Sequence, residues 1–349
     1  MTRPLRIALA GAGTAGRVHL DRIAESDACC LAALVDPAPD AHGLAARAGV
    51  ALYRELGGML GAERPDGVIL ATPNTLHVAG AIECLQHGIP VLIEKPVAGT
   101  LTDAEVLIDA QQRAGVPVLV GHHRRHSAIL DAAREAIGEG RLGRLVAISG
   151  SAVFCKPDAY FDEAPWRRQP GGGPILINMI HEVGNLRRMV GEIVAVQAFA
   201  SSATRGFPVE DTVAVNLRFA NGALGTFLVS DTAASARSWE QTSQENMRYP
   251  TYPDEDCYTI IGTNGSLAVP TMRVRYYEKK EDRSWWKPFQ TRVISLARLD
   301  PLAEQIEHFA AVVRGEARPL VTARDGLRNL RVTEAIAEAA KTGRTVNTN

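Results

Sequence analysis

Short, continuously apolar runs alternate with helix-length stretches through the first third of the chain. Residues 7–10, 31–35, 68–71, 90–93 and 116–120 are apolar at successive positions rather than at every second one. Strands of that kind are buried on both faces, and their helical separations predict a βαβ series, a doubly wound parallel sheet covered on both sides. The pattern changes after Gly121, where 145–153, 193–201, 212–219 and 224–229 form longer runs joined by turns such as Asn221-Gly222. These predict a mostly antiparallel sheet. Within it Val213, Val215, Leu217 and Phe219 alternate with Ala214, Asn216 and Arg218, giving one apolar and one more polar face. Leu302, Ile306, Phe309 and Val313 recur at helical spacing while Glu304, Glu307 and His308 point away, which predicts a late amphipathic helix. Residues 235–256, rich in Ser, Gln, Tyr, Pro and acids, are expected to be a loop. The fold class is therefore α/β: a Rossmann-type domain over 1–121 and a C-terminal α+β domain over 122–349, whose last helices are candidates to pack back on the first domain.

At 349 residues the chain is about twice a typical domain, so two domains are the default. A hydrophobic content of 46% fills two ordinary cores, and a net charge of -1 supplies no basic field for nucleic acid or anionic lipid. The opening residues Met1-Thr2-Arg3-Pro4-Leu5-Arg6 include no long apolar segment and no small-residue cleavage site, so neither secretion nor membrane insertion is expected. Cys29, Cys30, Cys84, Cys155 and Cys257 are odd in number and show no CxxC spacing. That pattern fits reduced thiols in the cytoplasm rather than a disulfide framework or a zinc site.

The first apolar run leads into Gly11-Ala12-Gly13-Thr14-Ala15-Gly16. In a dinucleotide cradle the first glycine permits the tight turn, the second lets the backbone approach a pyrophosphate, and the third lets the next helix pack on the strand. The second run ends in Asp36, roughly twenty residues beyond the last glycine, where a carboxylate accepts from the adenosine ribose hydroxyls. A carboxylate there repels a 2′-phosphate, and Pro37-Ala38-Pro39 offers no arginine to bind one. NAD is favoured over NADP.

Two constellations carry candidate chemistry. Glu94-Lys95-Pro96 follows the fourth run, placing an ammonium at the carboxyl edge of a parallel sheet, where ligands of such folds collect. Lys95 there is suited to hold a substrate oxygen, and proline disfavours a helical backbone at this residue. The second is Gly171-Gly172-Gly173 leading into a helix with His181. On an α-helical wheel Asn178, His181 and Asn185 fall within about 60° of one another, and Glu182 lies about 100° from His181. Met179, Val183, Leu186 and Val190 occupy the opposite side. A neutral imidazole on that polar stripe is suited to take a hydroxyl proton near neutral pH.

His122-His123-Arg124-Arg125-His126 has no acid or cysteine beside it, and its arginines repel a cation. It reads as a substrate or cofactor contact, with no metal assigned. The arginines of Trp166-Arg167-Arg168, if they face the site, favour an oxyanion-bearing substrate. His19 and His77 read as structural or capping residues, and His308 as solvent-facing.

Over nearly its whole length the chain resembles the Gfo/Idh/MocA oxidoreductases. The resemblance rests on the glycine turn, Ala71-Thr72-Pro73-Asn74 followed by His77, Glu94-Lys95-Pro96, the triple glycine before His181, Ile261-Gly262-Thr263-Asn264-Gly265-Ser266-Leu267, and Asp325-Gly326-Leu327 before a helix. It implies a second domain with a large open sheet whose outer face is often an oligomer interface, hence a homo-oligomer. It also implies that Lys95 and His181 flank a small-molecule substrate at the nicotinamide. The cofactor set is then Gly11, Gly13, Thr14, Ala15, Gly16, Asp36, Thr72, Pro73, Asn74, His77, Glu94, Lys95 and Trp166. The substrate set is Lys95, Arg124, Arg167, Asn178 and His181, with Lys95, His181 and Asn178 catalytic. Relatives commonly carry an aspartate four residues before the histidine, and here that residue is Ile177; Asn178 is the nearest polar substitute, able to orient an imidazole without holding a charge. The implied activity is NAD-dependent hydride transfer between nicotinamide and a secondary alcohol or ketone of a sugar, polyol or cyclic diol. Its rivals are a non-catalytic NAD-binding regulator and a glycoside hydrolase that uses NAD transiently.

Overall fold

The computed structural model describes residues 3–348, and the chain divides into two units. The first comprises residues 1–126 with 301–330, the second residues 127–300 with 331–349. The first unit runs on past the expected Gly121 to take in the short helical turn His123–His126. Residues 301–330, placed by the sequence in the C-terminal domain with its last helices as candidates to pack back, belong to the first unit.

The first unit is built from β1 (Leu5–Ala10), α1 (Thr14–Glu25), β2 (Cys29–Val35), α2 (Ala41–Ala48), β3 (Ala51–Tyr53), α3 (Leu56–Glu63), β4 (Gly67–Leu70), α4 (His77–Gln86), β5 (Val91–Ile93), α5 (Leu101–Ala114) and β6 (Val118–Val120). Its six strands are parallel in the order β3-β2-β1-β4-β5-β6, the dinucleotide-binding order. The continuous apolar runs follow from burial on two sides. Ala8, Val68, Leu70, Val91 and Ile93 pack against Met59, Leu60, Ala81, Leu85 and Leu107. Ile7, Leu9, Ile69, Leu92 and Leu119 pack against Ile23, Ile306 and Phe309. Local signals set the helix ends: Thr100 Oγ1 accepts from the Asp103 N–H at the start of α5, and Gly115 ends it in the left-handed region at φ 67°.

The amphipathic helix expected around residue 306 is Pro301–Val313. Its buried face is wider than the wheel implies and takes in Gln305. His308 is half-buried rather than solvent-facing, because its ring lies 5.0 Å from that of His126 and its Nε2 accepts from the Leu320 N–H. Asp325-Gly326-Leu327 lies inside the helix Ala323–Thr342 instead of before it; a Cβ on Gly326 would come 2.9 Å from Val97 Cβ.

The second unit begins with α6 (Ala128–Gly138) and β7 (Leu145–Val153), followed by α7 (Asp158–Asp162), α8 (Ile180–Met189), β8 (Ile193–Ser201), β9 (Thr212–Phe219) and β10 (Leu224–Ser230). Strands β11 (Tyr258–Gly262), β12 (Gly265–Val269), β13 (Arg273–Tyr276), β14 (Gln290–Val293) and β15 (Val346–Asn347) complete a nine-stranded sheet, ordered β14-β13-β12-β11-β7-β10-β9-β8-β15. Within this sheet, only the β7–β10 pair is parallel among the described residues. The alternation along β9 is observed: Val213, Val215, Leu217 and Phe219 are buried, Ala214, Asn216 and Arg218 exposed. The inner face packs on Ile129, Leu130 and Ala133 of α6 and Val183, Leu186 and Met189 of α8. On the other face Phe199, Leu224, Leu228 and Ile261 stand exposed.

The segment 235–256 is less of a loop than its composition implies. It contains the helical turn Trp239–Thr242, and Trp239 is buried with its Nε1–H donating to Glu245 Oε2 at 3.1 Å. Glu245 in turn accepts from Ser127 Oγ, so these polar residues serve the unit's core.

Candidate active site

The glycine turn has the geometry its sequence calls for. Gly11 holds φ at +95°, and a Cβ there would sit 2.4 Å from the Ala71 carbonyl oxygen; one on Gly16 would sit 1.9 Å from that of Gly11. Around Gly13, by contrast, nothing lies within 4 Å of a Cβ position. The close approaches are spent on the turn and the α1 packing, and the open side is left where a pyrophosphate belongs. Asp36 follows β2 and accepts from the Ala12 N–H (2.7 Å, Oδ2) and the Ala38 N–H (2.7 Å, Oδ1). Each oxygen keeps a second lone pair for a ribose hydroxyl. Thr72 Oγ1 is buried with no hydrogen-bond partner among the described residues, a polar group that a bound ligand satisfies at low cost. Open space, placed carboxylate and orphaned hydroxyl fit an NAD molecule. Thr14 and Ala15 open α1, while Pro73 and Asn74 lead into the short turn Asn74–Leu76.

Lys95 follows β5 at the same sheet edge. The adjoining Glu94 carboxylate receives the Lys95 N–H at 3.1 Å on Oε2 and lies 2.8 Å from His19 Nε2 through Oε1. Burial would raise the Glu94 pKa, but the His19 hydrogen bond and the charges of His19, Lys95 and His123 outweigh it and hold the carboxyl at about 2. Burial pushes the Lys95 ammonium down; Glu94 opposes the shift and Arg124 adds to it. Lys95 is thus a cation under desolvation, steadied by one ionised carboxylate, an arrangement suited to binding a developing oxyanion. Arg124 is buried within the same unit.

His77, read from its position as structural and placed in the cofactor set by the family resemblance, has both ring nitrogens against backbone carbonyls. It is buried, with Nδ1 2.8 Å from the Pro96 carbonyl oxygen and Nε2 2.9 Å from that of Thr72, and so it ties the Thr72 turn to the Lys95 turn. His19, read as structural, is the direct partner of Glu94. The run 122–126 does not converge on one point: His122 Nε2 lies 3.1 Å from Asn329 Nδ2, and the His126 ring lies tilted against that of His308. Among the described residues no cluster of His, Cys, Asp and Glu could hold a metal ion.

In the second unit the approach to His181 is not an α-helix. Residues Ile175–Met179 form a π-helical turn before α8, and π turns are rare and frequent at functional sites. The 100° wheel therefore fails over Asn178, and Asn185, placed by it on the polar stripe, is buried with its Nδ2 donating to Tyr258 Oη at 2.9 Å. Tyr258 also donates to Glu182, which is buried, while His181 is half-exposed. The triple glycine has a local cause: a Cβ on Gly173 would lie 2.3 Å from Glu210 Oε1, the atom that accepts from the Ile175 N–H at 3.0 Å. Asn178 Oδ1 accepts from Lys156 Nζ at 2.9 Å. Arg167 stacks on Tyr160, 3.8 Å from the ring centroid, and donates to its carbonyl oxygen; Trp166 is exposed. Sequence reasoning missed Lys156, whose signal was its place just beyond the carboxyl end of β7.

A parallel sheet in dinucleotide order, a glycine cradle with space at its middle glycine and a desolvated lysine on the same edge define a nicotinamide-dependent oxidoreductase. The chain belongs to the Gfo/Idh/MocA family: the profile described as its NAD-binding Rossmann fold matches residues 5–122, and that of its C-terminal alpha/beta domain matches 134–348. The rhizopine catabolism protein MocA of Rhizobium meliloti is 30% identical over 348 residues, covering 97% of this chain and 95% of that protein. The 1,5-anhydro-D-fructose reductase of Ensifer adhaerens is 30% identical, covering 80% and 78%. Among solved structures, the WlbA dehydrogenase of Bordetella pertussis in complex with NADH and UDP-GlcNAcA superposes with a TM-score of 0.78 at 27% identity, covering 99% of each chain. The chain is an NAD-dependent oxidoreductase, and no helix among its described residues is long and apolar enough to cross a membrane.

Proposed function

We propose that this enzyme oxidises a secondary alcohol of a sugar, polyol or cyclic diol to the ketone, or runs the reverse reaction, with Lys95 holding the reacting oxygen and His181 accepting its proton. The observation that carries the reading is Lys95 itself, a desolvated ammonium on the sheet edge that presents the glycine cradle. Bound NAD supplies the chemistry the protein lacks, a nicotinamide ring that accepts or returns hydride. The protein's work is to bind and orient. Asp36 and the Gly11–Gly16 turn hold the nucleotide end. The Lys95 ammonium stabilises negative charge as it builds on the substrate oxygen, and the His181 imidazole removes the hydroxyl proton. Asn178 supports the histidine, and Arg124 and Arg167 bind other polar groups of the substrate. The relatives' names, a sugar reductase and a dehydrogenase in complex with a nucleotide sugar, support a carbohydrate-like substrate. The presence of Lys95 weighs against a non-catalytic NAD-binding regulator.

The same reading makes the enzyme a cytoplasmic homo-oligomer. All five cysteines are thiols, which supports a reducing compartment. The exposed apolar side chains on the outer face of the nine-stranded sheet, with Phe199 79% accessible, support self-association there. NADH absorbance measured with aldoses, inositols and carboxylated cyclic diols as separate sets tests the activity: steady NADH formation with one set is expected. Tight NAD binding without NADH formation from any set would favour the regulator, and turnover without net NADH the transient use of NAD in glycoside cleavage.

A further inference from the structure

Lys156 lies just beyond β7, and its ammonium is built into a nearly closed polar cluster. Nζ donates to Asn178 Oδ1 at 2.9 Å and to Asp231 Oδ2 at 3.3 Å, with only 11% of the side chain accessible. It stands 4.8 Å from the centre of the Tyr160 ring and 5.7 Å from that of Phe154. Asp231, buried, is shared with Arg205, whose Nε lies 3.2 Å from Oδ1 and whose Nη2 donates to the Lys156 carbonyl oxygen at 2.8 Å. Both ends of the lysine are therefore fixed. On the other side of the π turn Glu210 receives the Ile175 N–H, and burial pushes the Glu210 carboxyl above its ordinary range.

A lysine only donates, so its contact with Asn178 Oδ1 assigns the direction of that amide: oxygen toward Lys156, NH2 away. At the neighbouring position 177, where the family resemblance implies an acceptor-only aspartate, this chain has isoleucine. The nearest polar side chain ahead of His181 in the turn is thus the Asn178 amide, whose oxygen accepts from a cation, while Glu182, next after His181, accepts from Tyr258. We propose that Lys156 is a positioning residue for His181, acting through Asn178 to hold the π turn that leads into the histidine's helix and to set the sign of the charge behind it. The inference rests on the reading of His181 as proton acceptor. The charged groups around the turn and α8 in this unit are Lys156 and Arg205, the carboxylates of Asp231 and Glu210, Glu182 against Tyr258, and the outer pairs Arg187–Glu192 and Arg188–Asp131. In this role a cation held on the far side of the amide opposes formation of the imidazolium, the form that cannot accept a proton.

The test is a histidine-selective NMR titration of the full chain, with the His181 resonance assigned by its loss in His181→Gln. In Lys156→Met the His181 midpoint is expected to rise by about one pH unit, and in Lys156→Arg to stay in place. With the alcohol giving most NADH in the panel above, Lys156→Met should lower kcat by about tenfold or more with a smaller change in KM. Asn178→Ala, which leaves the Asp231–Lys156 pair intact, should lower kcat similarly, and the double variant should add little to either. An unmoved His181 midpoint in folded Lys156→Met, or fully additive losses, would overturn the inference. Full kcat in His181→Gln would instead remove the proton-acceptor role, while the NMR shift still reports whether Lys156 is coupled to the histidine.

Discussion

His19 and Glu94 form a buried pair: imidazole Nε2 stands 2.8 Å from carboxylate Oε1, across from the Lys95 N–H on the other oxygen. The pair links the first helix after the glycine cradle to the lysine turn, so the nucleotide end and the chemical end of the Rossmann unit share one hydrogen-bonded connection.

That connection has a defined pH signature. The Glu94 carboxyl has its folded pKa at about 2, below the ordinary 4.5, so its ionised form stabilises the fold. The contribution is fully present above pH 4.5 and disappears as pH falls toward 2; it is on the order of 2–3 kcal/mol. Glu94→Gln should lower the urea-unfolding free energy at pH 7 by an amount of that order, with a smaller difference near pH 3. The same substitution removes the anion that supports the Lys95 ammonium, so the Lys95 pKa falls further. Activity that needs protonated lysine is lost as pH rises through that pKa, and the alkaline limb of kcat/KM should move down by about one pH unit. An unmoved limb would show that Lys95 does not act as a cation.

On the proposed reading, Asp36 sets the cofactor preference. Asp36→Ser removes the carboxylate that serves the ribose hydroxyls and repels a 2′-phosphate. NAD affinity should fall by about 10- to 100-fold, and the NAD-to-NADP preference should narrow. Equilibrium titration of both cofactors, read by nucleotide fluorescence, checks this. An unchanged preference would place the ribose elsewhere.

Gln305 is fully buried, and among the described residues neither of its amide atoms has a hydrogen-bond partner. A polar group in that position costs about 1–3 kcal/mol, so Gln305→Leu should be neutral or stabilising. The expected rise in Tm reaches about 2–4 °C for a domain of this size. A fall in Tm of several degrees would mean that the amide is satisfied in solution.

The outer face of the nine-stranded sheet provides the assembly prediction. Phe199→Asp combined with Leu228→Asp places charge on two exposed apolar positions, of which Phe199 is 79% accessible. Light scattering should then report a smaller particle with unchanged far-UV circular dichroism. An unaltered mass would move the interface elsewhere or leave the chain monomeric.

Much of this was legible in the sequence because the relevant signals are local. The glycine turn, Asp36 and Lys95 each depend on the backbone of a few residues, and the buried strands show as runs because both faces of the sheet are covered. What escaped was set by tertiary contacts. The π turn over Ile175–Met179 leaves no mark in hydrophobic spacing, so a wheel of fixed pitch cannot place Asn178 against His181, and Asn185 looks exposed until Tyr258, far along the chain, is brought against it. His19 looks like any helix residue until Glu94 is brought against it, and Lys156 like any surface lysine until Asp231 and Asn178 close around it. The polar stretch 235–256 resembled a loop because Glu245 is satisfied by Ser127, far away in sequence. Periodicity alone does not say which late residues join the first unit; the sequence offered the last helices only as candidates, and the segment that does so is 301–330.

The account turns on Lys95 as the group that holds the reacting oxygen. The most direct measurement compares Lys95→Met with the unaltered enzyme in two readouts, NAD affinity by titration and NADH formation from the best alcohol in the panel. The account predicts closely similar NAD affinity and a turnover lower by about 10²- to 10⁴-fold. Full turnover in Lys95→Met with NAD bound would contradict it.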